Sequence, residues 1–343
     1  MPDSKGLRGL ASGLIGAALT AVCPMNEAQA WGSSGHRMIT VAALSALPAN
    51  VPNFVRRGRN IEDAGEWSRE PDRWRLAGAA HDALRDAFHY AYTDDDGRLG
   101  GGPGFLALPA TVSAYQAAVR KAGGDPDQTG YLPYAIIDGW QQVAKDFVYW
   151  RADCAGLKSE HAVKRRGWLQ ADKRRREVQI IHDIGLFAHY VGDATQPMHL
   201  TVHHDGWGDY PNPDGFTSEK VHVPYEGAYV GKVVTQGMVS GGLRAALPME
   251  ATIEVSVGTY LQQASAATRP WYELEKAGGF KPGDRRGVDF TAGRLAMAAS
   301  ELRDLVAAAW LTSASGRINY PVATLADIEA GRVDTYSFLK GPD

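Results

Sequence analysis

The chain has 343 residues and carries 36 Lys and Arg against 39 Asp and Glu, which gives a formal net charge of −3. Such a mildly acidic balance argues against a protein that coats nucleic acid through bulk positive charge, but not against an enzyme that binds phosphate through cations. Its length is ample for a large hydrophobic core.

Residues 1–30 have the pattern of an export signal. Two positive side chains precede a run of small apolar residues over 10–22, and the segment ends in Ala-Gln-Ala at Ala30. The apolar run is too short for a comfortable membrane span. We therefore predict cleavage after Ala30, which leaves residues 31–343 as a periplasmic or secreted domain that begins with Trp31.

Only one cysteine, Cys154, lies in this mature chain, so no disulfide can form within it. Exported proteins often rely on disulfides, and we expect bound metal ions to supply part of that stabilisation here. We also expect a monomer with no transmembrane segment and no stable protein partner.

Hydrophobic periodicity predicts helices along the whole mature chain and dominant strand-like alternation nowhere. The predicted helical segments are 36–47, 60–75, 82–89, 108–121, 132–152, a central segment that contains His189, 230–238, 249–267, 291–313 and 327–338. Residues 94–104 and 206–216 are predicted loops, and the basic run 164–176 before the central helix is interpreted as a solvated face with a lesser chance of touching a polyanion. We predict one all-α domain whose metal ligands project inward from several helices.

The central stretch, residues 182–226, contains six of the ten histidines. His189 and Asp193 stand four positions apart, so they project from one face of the predicted helix, one turn apart. His222 and Glu226 repeat this spacing, with His199 between the two pairs. A lone histidine is more often a hydrogen-bonded core or surface residue than a ligand. Two His-acid pairs without thiolates, however, favour the ligand set of a catalytic zinc site.

Three further motifs lie upstream: Trp-Gly-Ser-Ser-Gly-His at Trp31–His36, Asp-x-x-Arg at Asp72–Arg75, and His89 in an aromatic run. A new N-terminus at Trp31 could chelate a metal through its amine and carbonyl, and His36 could complete that site. Each motif also has an ordinary interpretation: a terminal anchor with a capping histidine, a solvated ion pair, and a core histidine. Taken alone, the first motif favours the ordinary interpretation.

Together, these motifs resemble the zinc-dependent phospholipase C and single-strand-specific nuclease superfamily, and specifically its S-one/P-one nuclease branch. The resemblance spans essentially the whole mature chain. It implies three zinc ions in one helical domain, held by Trp31, His36, Asp72, His89, His189, Asp193, His199, His222 and Glu226. Asp193 would bridge the first two ions, and the last three residues would hold the third.

The resemblance also implies an endonuclease that hydrolyses RNA and single-stranded DNA to 5′-phosphate products, with 3′-nucleotidase activity as a further expectation. Clustered divalent ions lower the pKa of water to about 7 and clamp phosphate oxygens. Asp72 and Asp193 would serve this chemistry, and Arg75 would bind the phosphate and neutralise its developing charge. Tyr90 would stack on an unpaired base, hence the single-strand preference.

Several departures from the nuclease pattern leave the substrate open. Glu226 stands where the nuclease branch usually has Asp and the phospholipase branch has Glu, and Tyr92 replaces an expected acidic or amide residue. Because His89 and His189 are 100 positions apart, residues 94–150 are interpreted as an insertion that reshapes the cleft. A phospholipase C for phosphatidylcholine-like lipids is therefore the alternative.

A third hypothesis belongs to another class, a metal-stabilised binding protein without turnover. The presence of Arg75 argues against it, because such a protein needs no phosphate-binding residue beside its metals. His203 and His204 fit none of the ligand positions and are interpreted as loop residues near the mouth of the site.

Overall fold

A computed structural model describes residues 31–249, 251–318 and 321–341, so the predicted signal peptide at 1–30 lies outside the described residues. As the sequence predicted, these residues form a single, mainly helical domain. In the part of the chain that is described, no helix is long and apolar enough to cross a membrane.

Fifteen α-helices and two very short strands make up the described structure. The helices are α1 (Gly32–Ser45), α2 (Gly58–Trp67), α3 (Glu70–Arg73), α4 (Ala79–Arg85), α5 (Val112–Lys121), α6 (Pro126–Thr129), α7 (Leu132–Ser159), α8 (Val163–Asp193), α9 (Val230–Val233), α10 (Gln236–Gly241), α11 (Ile253–Ser265), α12 (Thr268–Lys276), α13 (Arg285–Thr312), α14 (Leu325–Glu329) and α15 (Thr335–Lys340). The strands β1 (Arg317–Ile318) and β2 (Ala323–Thr324) form one antiparallel pair.

The two long helices α7 and α8 form the centre of the domain and pack along each other. Their close approach depends on Gly139, because a Cβ there would lie 2.8 Å from the ring of Phe187. Helices α1, α2 and α13 also contact α8. A Cβ at Gly192 would lie 2.9 Å from the ring of His36 on α1, so this glycine lets α1 reach the end of α8.

Of two predictions about the middle of the chain, one was wrong and one was confirmed. The basic run 164–176 does not precede the central helix but forms its first half, since α8 begins at Val163. Lys and Arg are good helix formers, and Arg175 pairs with Asp172 at 2.8 Å. The helix predicted over 132–152 is confirmed, because α7 begins at Leu132 and buries much of its surface in the core. The interpretation of residues 94–150 as an insertion stays a prediction.

Other predicted helices have the right location but different boundaries. The segment 230–238 is divided into α9 and α10, and 327–338 is divided into α14 and α15 around Gly331, whose φ of 68° places it in the left-handed region. The segments 94–104 and 206–216 lack α-helix, as predicted. Local patterns located these elements, while their ends depend on turns that periodicity does not encode.

Candidate metal centre

Three groups of buried imidazole and carboxylate side chains converge near the C-terminal end of α8. Within each group, the candidate ligand atoms all lie within 4.8 Å of one another. The groups are His36 with His189 and Asp193; Asp72 with His89 and His189; and His199 with His222 and Glu226. The fold thus brings together eight of the nine predicted ligands, all of them buried.

Separate elements supply these side chains. Helix α8 presents His189 and Asp193 one turn apart, as their spacing predicted, while α1 contributes His36 and α3 contributes Asp72. The other ligands come from outside the α-helices, with Glu226 in a π-helical turn over Pro224–Tyr229. The centre is therefore a meeting point of segments that are distant in sequence.

Asp193 links two of the groups. Its Oδ1 lies 3.4 Å from Nε2 of His36. Its Oδ2 lies 3.1 Å from Nδ1 of His89 and 3.4 Å from Nε2 of His189. Each oxygen thus faces a different set of imidazole nitrogens, which is the arrangement that a carboxylate bridging two cations requires.

Backbone carbonyls orient two of the imidazoles. Nδ1 of His189 donates to the carbonyl of Ser68 at 2.8 Å, and Nδ1 of His199 donates to the carbonyl of His89 at 2.6 Å. Each donation leaves the Nε2 lone pair directed towards the centre, as in metal-ligating histidines. The Nε2 atoms of His199 and His222 face each other at 3.1 Å, a distance at which a shared cation would stabilise both lone pairs.

Gln196 fixes the position of the third group. Its side-chain oxygen accepts from the backbone N–H of Met198 at 2.6 Å and so caps the 3₁₀ turn Pro197–Leu200, which contains His199. Its amide nitrogen donates to Oε2 of Glu226 at 3.0 Å. One buried side chain therefore holds two elements of the centre together, a role that the Gln-Pro sequence alone did not reveal.

Burial governs the protonation of the centre. It raises the pKa of Asp72 and of Asp193 well above the usual range, and the neighbouring acidic groups add to this effect. Burial likewise lowers the pKa of His89 to about 3 and the pKa of His189 well below its usual value, with nearby cationic groups adding to both shifts. Divalent cations are the partners that would stabilise ionised carboxylates and neutral imidazoles together.

The hydrogen bonding of the carboxylates fits bound cations. Three buried oxygens accept no hydrogen bond from any described residue: Oδ1 of Asp72, Oδ1 of Asp193 and Oε1 of Glu226. Buried polar atoms in native proteins are nearly always paired, so such atoms call for an explanation. A donor set of imidazole nitrogen and carboxylate oxygen without thiolate matches catalytic zinc sites.

Trp31, the ninth predicted ligand, is anchored beside the centre. Its buried ring donates from Nε1 to the carbonyl of Gly192 at 2.8 Å, directly before Asp193. Its φ of 50° is unusual for a residue other than glycine. The next residue, Gly32, also packs closely, because a Cβ there would lie 3.2 Å from the carbonyl oxygen of Glu226. Ligation by the amino group of Trp31 stays a prediction.

The predicted phosphate-binding and base-stacking residues lie near the centre. Nε of Arg75 is 3.5 Å from Oδ1 of Asp86, and the positive charge of Arg75 partly offsets the burial that raises the pKa of Asp72. The ring of Tyr90 is parallel to that of Tyr92 at 4.3 Å, so one face of the predicted stacking residue is already covered.

The two histidines without a predicted role differ from each other. The ring of Tyr92 stacks on exposed His204 at 4.6 Å and extends the aromatic stack from Tyr90. His203 lies in a loop, as predicted, and its side chain is buried. It packs parallel to Trp207 at 3.7 Å, and its Nε2 lies 2.8 Å from Oδ1 of Asp95. Neither histidine belongs to the three candidate metal groups.

Comparison of the chain with protein-family models, with curated proteins and with solved structures gives no match. The helical domain and its three buried groups are established by the residues and their geometry.

Proposed function

We propose that this protein is a zinc-dependent phosphodiesterase of the phospholipase C and nuclease superfamily, acting as an endonuclease on RNA and single-stranded DNA. The observation that carries the proposal is the position of Asp193, whose two oxygens face different imidazole groups in a buried centre. A bridging carboxylate places two cations close together, which suits a reaction that must stabilise charge on a phosphate diester.

Eight side chains and the Trp31 main chain would hold three zinc ions. Asp72, His89 and His189 would bind one ion, His36 and the Trp31 amine would bind the second, and His199, His222 and Glu226 would bind the third, with Asp193 between the first two. When bound, the ions supply Lewis acidity towards phosphate oxygens and lower the pKa of water to about 7.

This assignment is the reason to propose export. Trp31 can offer an amine only after the preceding residues are removed, so cleavage after Ala30 would complete the second site. The mature enzyme would then act in the periplasm or outside the cell. The products would carry 5′-phosphates, and nucleoside 3′-monophosphates would be further substrates.

Residues around the centre would bind and orient the substrate. Arg75 would donate hydrogen bonds to a phosphate oxygen and neutralise charge there, and its contact with Asp86 restrains the guanidinium. The Tyr90, Tyr92 and His204 rings form a parallel stack whose ends could extend onto unpaired bases. Such stacking requires a single strand, because the bases of a duplex are already stacked on their neighbours.

A phospholipase C acting on phosphatidylcholine-like lipids is the second candidate. Two observations favour it: Glu226 at the last ligand position, and two exposed apolar side chains, Leu76 shortly after Trp74 and Leu84 in α4, at 77% and 65% exposure. Exposed apolar residues of this kind can contact a lipid surface. We rank the nuclease first because the parallel aromatic stack suits unpaired bases and Arg75 suits a phosphate.

Hydrolysis assays on the mature, zinc-loaded protein test these alternatives. We expect release of nucleotides from single-stranded DNA and RNA, and loss of this release in Asp193→Ala. Asp153→Asn, which replaces a buried carboxyl on α7 outside the three groups, serves as the matched control. Release of phosphocholine from phosphatidylcholine vesicles, with nucleic acid left intact, would instead establish the phospholipase. A protein that binds zinc and cleaves none of these substrates would be the binding protein.

A further inference from the structure

A cavity of about 470 Å³ lies beside the metal centre, between α4, α7 and α8. Five aromatic rings contribute to its wall: Trp74, Phe88, Tyr134, Phe187 and Tyr190. None of the eight side chains of the metal groups lines it, so it is a separate compartment. A wall of aromatic rings with a few polar groups is typical of sites for small planar ligands.

The cavity borders the group formed by Asp72, His89 and His189. Phe88 directly precedes His89, and Tyr190 directly follows His189. The ring of Tyr190 makes edge contacts with both histidines, at centroid distances of 5.7 Å from His89 and 5.4 Å from His189. A single aromatic ring therefore lies between the cavity and two candidate ligands.

Polar side chains on the long helices give the cavity a hydrogen-bonding edge. Asp138 and Gln142 of α7 and Asp183 of α8 line it together with the rings. The amide nitrogen of Gln142 donates to Asp146 at 3.1 Å. This bond orients the amide and does not involve its carbonyl oxygen, which can act as an acceptor. Acceptors at this edge suit the exocyclic amino and ring N–H groups of a nucleobase.

The same polar groups disfavour an acyl chain. A hydrocarbon chain would cover the Asp138 and Asp183 carboxylates without offering them a hydrogen bond, which is costly for charged groups. A nucleobase offers both a flat face to the rings and polar atoms to the carboxylates. A nucleobase therefore fits both parts of the wall better than an acyl chain does.

We propose that this cavity binds the nucleobase of a nucleotide adjacent to the cleaved phosphodiester. The inference rests on the proposed nuclease function and adds a base-binding subsite on the Phe88 and Tyr190 side of the centre. The Tyr90, Tyr92 and His204 stack is a different set of rings, and none of its members lines this cavity.

Helix α4 forms one side of the wall. It contributes Leu84 and Arg85, and the Arg85 guanidinium lies 4.6 Å from the centre of the Trp74 ring. No residue of α4 is buried, and the turn before it contains Leu76 at φ 63° and Gly78 at φ 136°. This side of the cavity therefore lies towards solvent.

The test is cleavage of dinucleotides by Tyr134→Ala and Trp74→Ala enzymes, together with calorimetric binding of adenosine to the zinc-loaded proteins. Trp168→Ala is the matched control, since it removes a half-buried aromatic residue of α8 that does not line the cavity. We expect each cavity variant to raise KM by roughly 5- to 100-fold, the range for loss of one base-stacking ring, with little change in kcat. Adenosine binding should weaken in parallel.

Zinc content controls for indirect damage, because Trp74 is two residues from Asp72. Tyr134 is remote in sequence from every candidate ligand, so its variant must retain the metal of the wild type and still raise KM. A wild-type enzyme that cleaves nucleic acid, with cavity variants that behave like Trp168→Ala, would overturn the subsite and leave the nuclease intact.

The remaining outcomes separate the subsite from the function. If the wild type released only phosphocholine and Tyr134→Ala slowed this release, the cavity would bind lipid and the inference would be wrong. If no substrate were cleaved, the proposed function would fail, and the adenosine titration would decide the cavity: binding lost in Tyr134→Ala supports the subsite, while no binding by the wild type overturns it.

Discussion

Buried carboxyl groups occur in two regions of this protein, and they have different surroundings. One region is the candidate metal centre, with Asp72 and Asp193. The other is the interface between α7 and α8, where Asp146 and Asp153 of α7 are buried. Burial raises the pKa in both regions, well above the usual range for Asp72 and Asp193 and to about 8 for Asp153.

The difference lies in the neighbouring groups. At the centre, imidazole nitrogens approach Asp193 from three residues within 3.4 Å. At the interface, Asp146 has Arg176 at 3.4 Å, and within the described part of the chain both buried oxygens of Asp153 lack a hydrogen-bond partner. Burial with a shifted pKa is thus insufficient to identify a functional site. Several neutral imidazole nitrogens around one carboxylate indicate a cation site. A buried carboxyl group without such neighbours instead destabilises the folded state.

Removal of metal should have the largest effect. Chelation with EDTA should lower the melting temperature by roughly 10 °C or more, because ligands of three groups would remain buried without a cation. Differential scanning calorimetry before and after chelation, and again after zinc is restored, measures this change. The Asp153→Asn protein should show the same drop, since Asp153 lies outside the centre. An unchanged melting temperature would contradict metal binding at the three groups.

Replacing one carboxylate by an amide in each region should show that only the carboxylate at the candidate metal centre is needed for zinc binding and activity. Asp193→Asn keeps the side-chain size but removes the bridging anion, so we expect less zinc per chain. We also expect hydrolysis to fall by more than about 100-fold, because loss of a residue that only hydrogen-bonds to a metal ligand typically costs about 10- to 100-fold. Asp153→Asn should retain both zinc and activity. Elemental analysis and initial rates give the two measurements. Equal zinc content in the two variants would argue against the bridging role.

The smallest expected effect is a pH-dependent gain in stability in Asp153→Asn. Asp153 keeps its proton in the folded protein up to about pH 8, whereas an unfolded carboxyl ionises near pH 4. Because the folded state binds more protons in this window, the free energy of unfolding falls as pH rises from about 4 to 8. The asparagine variant avoids this loss, so it should gain roughly 1–3 kcal/mol at pH 8 and almost nothing near pH 4.

Urea denaturation at several pH values, with EDTA present throughout, isolates the Asp153 contribution from metal release. Asp138→Asn, an exchange at an exposed position of the same helix, is the control for a change in net charge. A gain that is independent of pH, or that the control shares, would mean that Asp153 does not retain a proton in the folded protein.

Much of the fold and of the candidate centre was predictable from local patterns. The helical class followed from apolar periodicity, and the spacing of His189 and Asp193 placed both on one face of α8. The basic run 164–176 was misjudged because its charged residues lack an apolar pattern, yet its ion pairs and helix propensity continue α8. The apolar face of residues 132–152 correctly predicted a core helix, but periodicity did not show that α7 continues to Ser159.

The sequence by itself determined which donor atoms are present and which pairs share a helical turn, since these depend only on residue type and backbone geometry. Tertiary structure alone decided that His36 and Asp72 join His189, that the two oxygens of Asp193 face different imidazoles, and that His203 is buried. It also decided that the buried Asp153 carboxyl accepts no hydrogen bond from the residues that the structure describes. These features arise when segments far apart in the chain pack together, and no periodicity within a single segment encodes that packing.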